Sequence, residues 1–371
     1  MNLPNKLAQK IIIRKSENSF RFLKSGNQLV DFCSNDYLGL ARNKDLALLI
    51  EQTYFPFSKL GANGATGSRL ISGNHYLIED TEKQLADFFE TESSLIFNSG
   101  YAANVGVLSS IPQKGDTVLY DELSHACIKD GIRLSTADRF SFRHNDLSDL
   151  ERRIKQASGD CYIVVESVYS MDGDSAPLKE IATLCQKHSC YLIVDEAHST
   201  GINGSHGQGL CVEEGIADQV FIRIHTFGKA MGIHGACVTA SNEVRDYLIN
   251  FSRSFIYTTA LSLHSIISMK CAFEFLKSNQ QLILDEKKNI EFFNSFFKDN
   301  HSKISSNSPI HAFLIGEVTA TKNKATEIQN KGFDVRPILS PTVKTGTERL
   351  RVCIHQYNSK HELELLAELL K

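Results

Sequence analysis

Lys229 stands in Thr226-Phe-Gly-Lys-Ala-Met-Gly, just past a short apolar run and between Gly228 and Gly232. A lysine is costly to bury unless it is paired or covalently used, and glycines let the backbone approach whatever it binds. Desolvated in such a place, the amine can form a Schiff base with an aldehyde. Read alone, the ordinary alternative is a solvated loop lysine. Asp195 directly follows Tyr-Leu-Ile-Val. A carboxylate at the mouth of a buried strand can keep a pyridine nitrogen protonated and make its ring an electron sink, or it can simply cap a helix. His198, three residues on, is placed to hydrogen-bond an oxygen of the same ring. His125, in Asp-Glu-Leu-Ser-His-Ala, can stack on a flat aromatic group. Each histidine has a bland alternative as a surface or packed residue.

Other segments suggest anion binding. Phe97-Asn-Ser-Gly-Tyr-Ala-Ala-Asn joins an apolar run to a helix-like stretch, and amides at a helix N-terminus bind phosphate well. Thr226, three residues before Lys229, offers a hydroxyl that could contact a phosphate. The glycine-rich stretch Gly61–Gly73 lacks the lysine of a nucleotide-binding loop and the spacing of a dinucleotide fingerprint. In Arg349-Leu-Arg-Val-Cys-Ile the two-residue period puts Arg349 and Arg351 on one strand face, suited to a carboxylate or else simply exposed. Asp195, His198, His206 and Cys211 match no zinc spacing, and no HExxH occurs, so a metal is not expected.

These groups need elements to hold them. Three short apolar runs, 161–165, 191–194 and 219–224, are each followed by polar residues and glycine, and a fourth spans 117–120. Continuous apolarity predicts strands buried on both faces. Pro177 opens a helix whose stripe is Leu178, Ile181, Leu184 and Cys185. Strand, helix, strand predicts parallel pairing, with ligands gathering beyond the carboxyl ends of the strands. Later, Val244, Tyr247, Leu248 and Phe251 mark a helix, residues 261–276 another, and 310–314 and 350–354 are candidate strands. Ser359 and Glu362 form a capping box for a last helix. The expected division is an N-terminal segment (1–37), a large domain (38–272) and a small C-terminal α+β domain (273–371).

The 371 residues can bury a large core, and 42% hydrophobic with 22% charged is ordinary for a globular enzyme. A net charge of -3 gives no basic field for nucleic acid. Nine cysteines without regular spacing read as reduced core residues, and neither a signal segment nor a membrane-length apolar run is evident. A cytoplasmic protein without nucleic-acid or membrane partners is expected.

In order and wording the blocks resemble the α-oxoamine synthases, members of the aspartate-aminotransferase-like (type I) enzymes that use pyridoxal 5'-phosphate (PLP). The resemblance runs from Ser34-Asn-Asp-Tyr-Leu-Gly through Gly64-Ala-Thr-Gly-Ser-Arg, Phe97-Asn-Ser-Gly-Tyr-Ala-Ala-Asn and Ser124-His-Ala. It continues through Glu166-Ser-Val-Tyr-Ser-Met-Asp-Gly-Asp, Val194-Asp-Glu-Ala-His-Ser-Thr-Gly, Thr226-Phe-Gly-Lys and Gly346-Thr-Glu-Arg-Leu-Arg. It implies a type I fold with a mostly parallel sheet in the large domain. It also implies condensation of an amino acid with an acyl thioester, from coenzyme A or an acyl carrier protein, with loss of carbon dioxide.

By the same resemblance Lys229 is the Schiff-base lysine and general base, Asp195 pairs with the pyridine nitrogen, His198 contacts the ring oxygen and His125 stacks on the ring. Gly100, Tyr101, Glu166, Ser170 and Thr226 seat the cofactor. Thr258 or Thr259 reaches its phosphate from a partner subunit, which implies a homodimer with shared active sites. Asn35, Thr342, Arg351 and an early arginine, taken as Arg14, contact substrate. Phe255-Ile-Tyr-Thr-Thr-Ala-Leu and the stretch around Lys229 resemble the members that use L-alanine and a pimeloyl thioester. Glycine-using members and a catalytically silent relative are the alternatives. One departure stands out: Leu339 occupies a place where many such members have arginine, and Arg336 lies three residues earlier.

Overall fold

In the computed structural model, residues 3–23, 26, 28–298 and 300–371 are described. The chain divides into two compact units, one of residues 35–170 and 175–286, the other of residues 1–34, 171–174 and 287–371.

The first unit is built on a seven-stranded sheet, counted among the described residues. Its strands are β1 (Ser93–Phe97), β2 (Thr117–Asp121), β3 (Asp138–Phe142), β4 (Cys161–Glu166), β5 (Tyr191–Asp195), β6 (Ile222–Thr226) and β7 (Ala236–Ala240). Their spatial order is β1-β7-β6-β5-β4-β2-β3. Strands β3, β2, β4, β5 and β6 pair in parallel, and β7 runs antiparallel to both its neighbours. The α/β class and the mostly parallel sheet are as the sequence predicts.

The apolar runs are unbroken because both faces of the sheet are covered. Val164 and Ile193 join one core with Leu95, Val107, Ile128 and Leu248. Ile163, Val165, Leu192 and Val194 join another with Leu178, Ile181 and Cys185. Alternate residues of one strand thus enter opposite cores. The helix after Pro177 is Leu178–His188, with Leu178, Ile181, Ala182 and Cys185 buried. Leu184 only packs against that core from its edge.

Some elements depart from expectation. The run at 219–224 yields a strand only from Ile222, because Ala217–Gln219 turn as a short 3-10 helix before it. The helix expected over 261–276 is Leu263–Ser278, capped by Ser262. In the helix Asn242–Phe251, Val244 and Leu248 are buried but Phe251 is exposed. The glycine-rich stretch ends in a π-type turn at Arg69–Gly73.

The second unit carries β8 (Ile310–Leu314), β9 (Arg336–Ile338) and β10 (Arg349–Cys353), antiparallel in the order β9-β10-β8. Phe313, Leu350, Val352 and Ile354 pack with Leu363, Leu366 and Leu370 of the last helix, Lys360–Leu370. That helix opens with the expected capping box of Ser359 and Glu362. Among the described residues, no helix is long and apolar enough to cross a membrane.

Candidate active site

Parallel strands bring their carboxyl ends to one edge, and the residues that follow those ends assemble there. Beyond β1 lie Ser99 and Gly100, and beyond β2 lies His125. Glu166 and Asp195 end β4 and β5, and Lys229 follows β6. The register places Glu166 directly beside Asp195.

Asp195 is buried, and each of its oxygens is held. Oδ1 accepts from the Ala197 amide at 2.9 Å and Oδ2 from Asn104 Nδ2 at 2.8 Å. His198 is buried too, with Nδ1 at 2.8 Å from the hydroxyl of buried Tyr37. The same hydroxyl lies 3.1 Å from Asn35 Oδ1. The tyrosine's one proton goes to Asn35, so its oxygen accepts from His198 Nδ1–H, which fixes the imidazole's orientation.

Lys229 sits half-buried in a tight return from β6 into β7, closed by bonds from the Gly232 amide to the Lys229 carbonyl and from Phe227 to Gly235. Gly232 has φ +65°, and a Cβ there would run into the backbone of Leu40 and Ala41. Only glycine makes that turn. The charge on Lys229 is felt at His125, whose pKa is lowered first by burial and then by that ammonium. His125 caps the helix Ala126–Leu134 with its side chain, and its amide donates to Glu166 Oε1 at 2.6 Å.

Glu166 is buried, and desolvation, reinforced by the Asp195 charge beside it, raises its pKa from 4.5 to about 8. A raised carboxyl pKa means the fold holds the proton more tightly than the unfolded chain. The resulting stabilisation is fully present below pH 4.5 and is lost as pH rises through about 8. Urea unfolding of cofactor-free protein at several pH values across that window should therefore show falling stability. Glu166→Gln, which still accepts from His125, should flatten the fall; parallel curves for the two proteins would refute this titration.

The helix Gly100–Ser110 is capped by Ser99, whose hydroxyl accepts from the Ala102 amide at 3.2 Å. A Cβ on Gly100 would lie 2.8 Å from Thr226 Oγ1, so the first turn of this helix and Thr226 form one narrow cradle. Ser170 is buried nearby in sequence terms, after β4. Tyr101 is half exposed, and its hydroxyl donates to Asp130. Thr258 is half-buried and Thr259 exposed, with the Thr259 carbonyl held by Asn98 Nδ2 at 3.0 Å.

An aromatic phosphate aldehyde fits this set. An anion cradle, a buried carboxylate, a buried imidazole and a half-buried amine lie along one strand edge. Inside it, Asn104 Oδ1 and Ser124 Oγ are buried polar atoms with no hydrogen-bond partner.

The expected substrate contacts other than Asn35 belong to the second unit. Arg336 is paired with Asp334 at 2.7 Å and lies opposite Arg351 across β9 and β10. Arg349 and Arg351, which could have faced solvent, are both buried, and Arg349 pairs with Asp172. A cleft of about 840 Å³ is lined by Arg21, Cys33, Lys322, Arg336, Leu339 and Thr342, among others. Arg14 does not line it: it lies on the helix Asn5–Ser16, and its carbonyl accepts from the Ser19 amide. Sequence reasoning missed Arg21, whose Nη2 donates to Thr342 Oγ1 at 2.9 Å. The one local signal was its setting between Phe20 and Phe22. Asn104 and Tyr37 were also passed over as individuals, although both lie in blocks that carry the resemblance.

Comparison with known proteins bears on the same features. Residues 27–370 match the aminotransferase class I and II family. A putative 8-amino-7-oxononanoate synthase of Methanococcus vannielii is 42% identical over 95% of this chain and 95% of its own. The 8-amino-7-oxononanoate synthase of Emericella nidulans is 38% identical over 91% of this chain and 88% of its own. A variant serine palmitoyltransferase solved with PLP superposes with a TM-score of 0.89 at 25% identity, over 99% of this chain and 96% of that one. With a lysine, a carboxylate and a helix N-terminus gathered at the ends of a parallel sheet, and with matches spanning nearly its whole length, this chain belongs to the aminotransferase class I and II family.

Proposed function

We propose that the protein is a PLP-dependent C-acyltransferase that condenses L-alanine with a pimeloyl thioester to give 8-amino-7-oxononanoate, a step of biotin biosynthesis. The observation that carries this reading is the grouping of Lys229, Asp195, His198 and the Gly100 cradle on one sheet edge, in a chain 34–42% identical to relatives named for that reaction. When bound, PLP supplies an electron sink for the charge that develops at the amino acid's α-carbon.

The chain's own groups do the rest. Lys229 Nζ would hold the cofactor's aldehyde, and its amine is the base placed to take the α-proton. Asp195, fixed by Ala197 and Asn104, keeps a proton on the ring nitrogen. His198, held by Tyr37, contacts the ring oxygen, and His125 covers the ring face. The first turn at Gly100 and Tyr101, with Ser170 and Thr226, holds the phosphate. Glu166 lines the site as a neutral acid at low pH. Arg351 takes the amino-acid carboxylate, and Asn35 lines the cofactor site. Arg21, Arg336 and Thr342 line the cleft for the acyl substrate, and Arg336 stands in for the cation absent at Leu339. The reaction joins the α-carbon to the acyl carbonyl, releases the thiol and then carbon dioxide.

Thr258 and Thr259 complete the phosphate site of a second copy, which makes the protein a homodimer with shared active sites. Exposed apolar side chains in the same unit support a partner surface: Ile71 is 86% exposed, Tyr257 72% and Tyr76 65%. None of the nine cysteines, all among the described residues, forms a disulfide, which supports a reducing cytoplasm.

The test is a matrix of amino acids against acyl thioesters with purified, PLP-loaded protein. Alanine with pimeloyl-CoA or a pimeloyl carrier protein should release free thiol and 8-amino-7-oxononanoate faster than any other pair. Preferred turnover of glycine would move the protein to a sister activity. No thiol release with any pair would leave a silent relative and end the proposal.

A further inference from the structure

Asn104 is buried, at 1% exposure, in the helix that begins at Gly100, and its side chain makes two bonds in different directions. One Nδ2 hydrogen goes to Asp195 Oδ2 at 2.8 Å and the other to the Gly100 carbonyl at 3.0 Å. The amide therefore ties the buried carboxylate that ends β5 to the first turn of the helix beyond β1. No strand pairing joins those two points directly, since β1 and β5 are separated by β7 and β6 in the sheet. The Asn104 Oδ1 atom has no partner, so both hydrogen bonds of the side chain serve this link.

The geometry points to Asn104 as a positioning residue that sets Asp195 against the Gly100 cradle, so that the ring nitrogen and the phosphate of PLP are gripped at one fixed separation. The inference rests on the PLP reading of the site. Its mechanism is that of a rigid spacer: the amide bridges one carboxylate oxygen to the helix's first turn while the Ala197 amide holds the other oxygen, and a ligand that must touch both ends then binds without reorganising the site. The donor is directed at an ionised acceptor in a buried setting, where such a bond is stronger than a neutral one.

Two substitutions test it through PLP affinity, read by quenching of protein fluorescence and by the visible absorbance of the bound cofactor. Asn104→Ala removes both bonds and should weaken PLP binding about tenfold or more. Asn104→Asp offers a donor to Asp195 only while the two carboxyls share a proton. Its PLP affinity should match wild type at low pH and fall away, relative to wild type at the same pH, as the shared proton is lost. Asp195, Glu166, His125, Lys229, Asp121, Lys129 and Asp130 are the charged and titratable groups around this site, and wild type measured at the same pH is the reference for them.

A residue that merely fills space would shift affinity by one factor at every pH. Should Asn104→Ala fail to fold, the Asn104→Asp ratio decides alone. Wild-type protein that binds PLP, with an Asn104→Asp ratio independent of pH, overturns the inference and leaves the PLP site standing. Wild-type protein that takes up no PLP overturns both.

Discussion

Lys229→Ala is expected to reduce turnover of alanine and acyl thioester by on the order of 10⁴-fold, because one substitution removes both the covalent hold on the cofactor and the base for the α-proton. The amine is half-buried in a loop closed at Gly232 and Gly235. The variant should nevertheless fold, since truncating a half-exposed side chain opens no core cavity. Borohydride reduction of the loaded wild type should place a pyridoxyl mass on the peptide containing Lys229, and the variant should carry none. A label on another lysine, or undiminished turnover, would refute the assignment on which the whole mechanism depends.

Asp195→Asn should cost on the order of 10²–10³-fold in kcat, the scale of losing one preorganised charge interaction in a water-excluded site. The substitution keeps size and shape but removes the negative charge that holds a proton on the ring nitrogen. It also turns an acceptor of the Asn104 amide into a neutral group. The expected pattern is a large fall in kcat with a smaller change in KM for alanine, because the charge matters most when the α-carbon becomes carbanionic. A variant with wild-type kcat would show that Asp195 does not serve the ring. Unlike Lys229→Ala, this variant should still accept the pyridoxyl label, which separates the two roles.

Both predictions bear on residues whose chemistry was legible before any coordinates. Lys229 between glycines and Asp195 after an unbroken apolar run are local patterns, and a strand buried on both faces leaves its first polar residue at the sheet edge. The capping box at Ser359 and Glu362 and the helix after Pro177 were legible because a cap, a proline and an apolar stripe are all patterns within a few residues. Errors came where the neighbours were remote in sequence. Arg349 and Arg351 alternate with apolar residues like an exposed strand face, yet Asp172, far away in sequence, meets Arg349 in the interior.

The sequence by itself determined the α/β class, the buried strands, the family and the four side chains with chemistry to offer. These follow from short-range periodicity and from motifs, each of which carries its own physical constraint. Tertiary structure alone decided which groups support those four. Asn104 reaches Asp195 across 91 positions and Tyr37 reaches His198 across 161. A hydrogen bond is specified to a few tenths of an ångström, whereas sequence patterns specify only faces and ends of elements. Strand order, set by the packing of the whole sheet, supplies the missing precision.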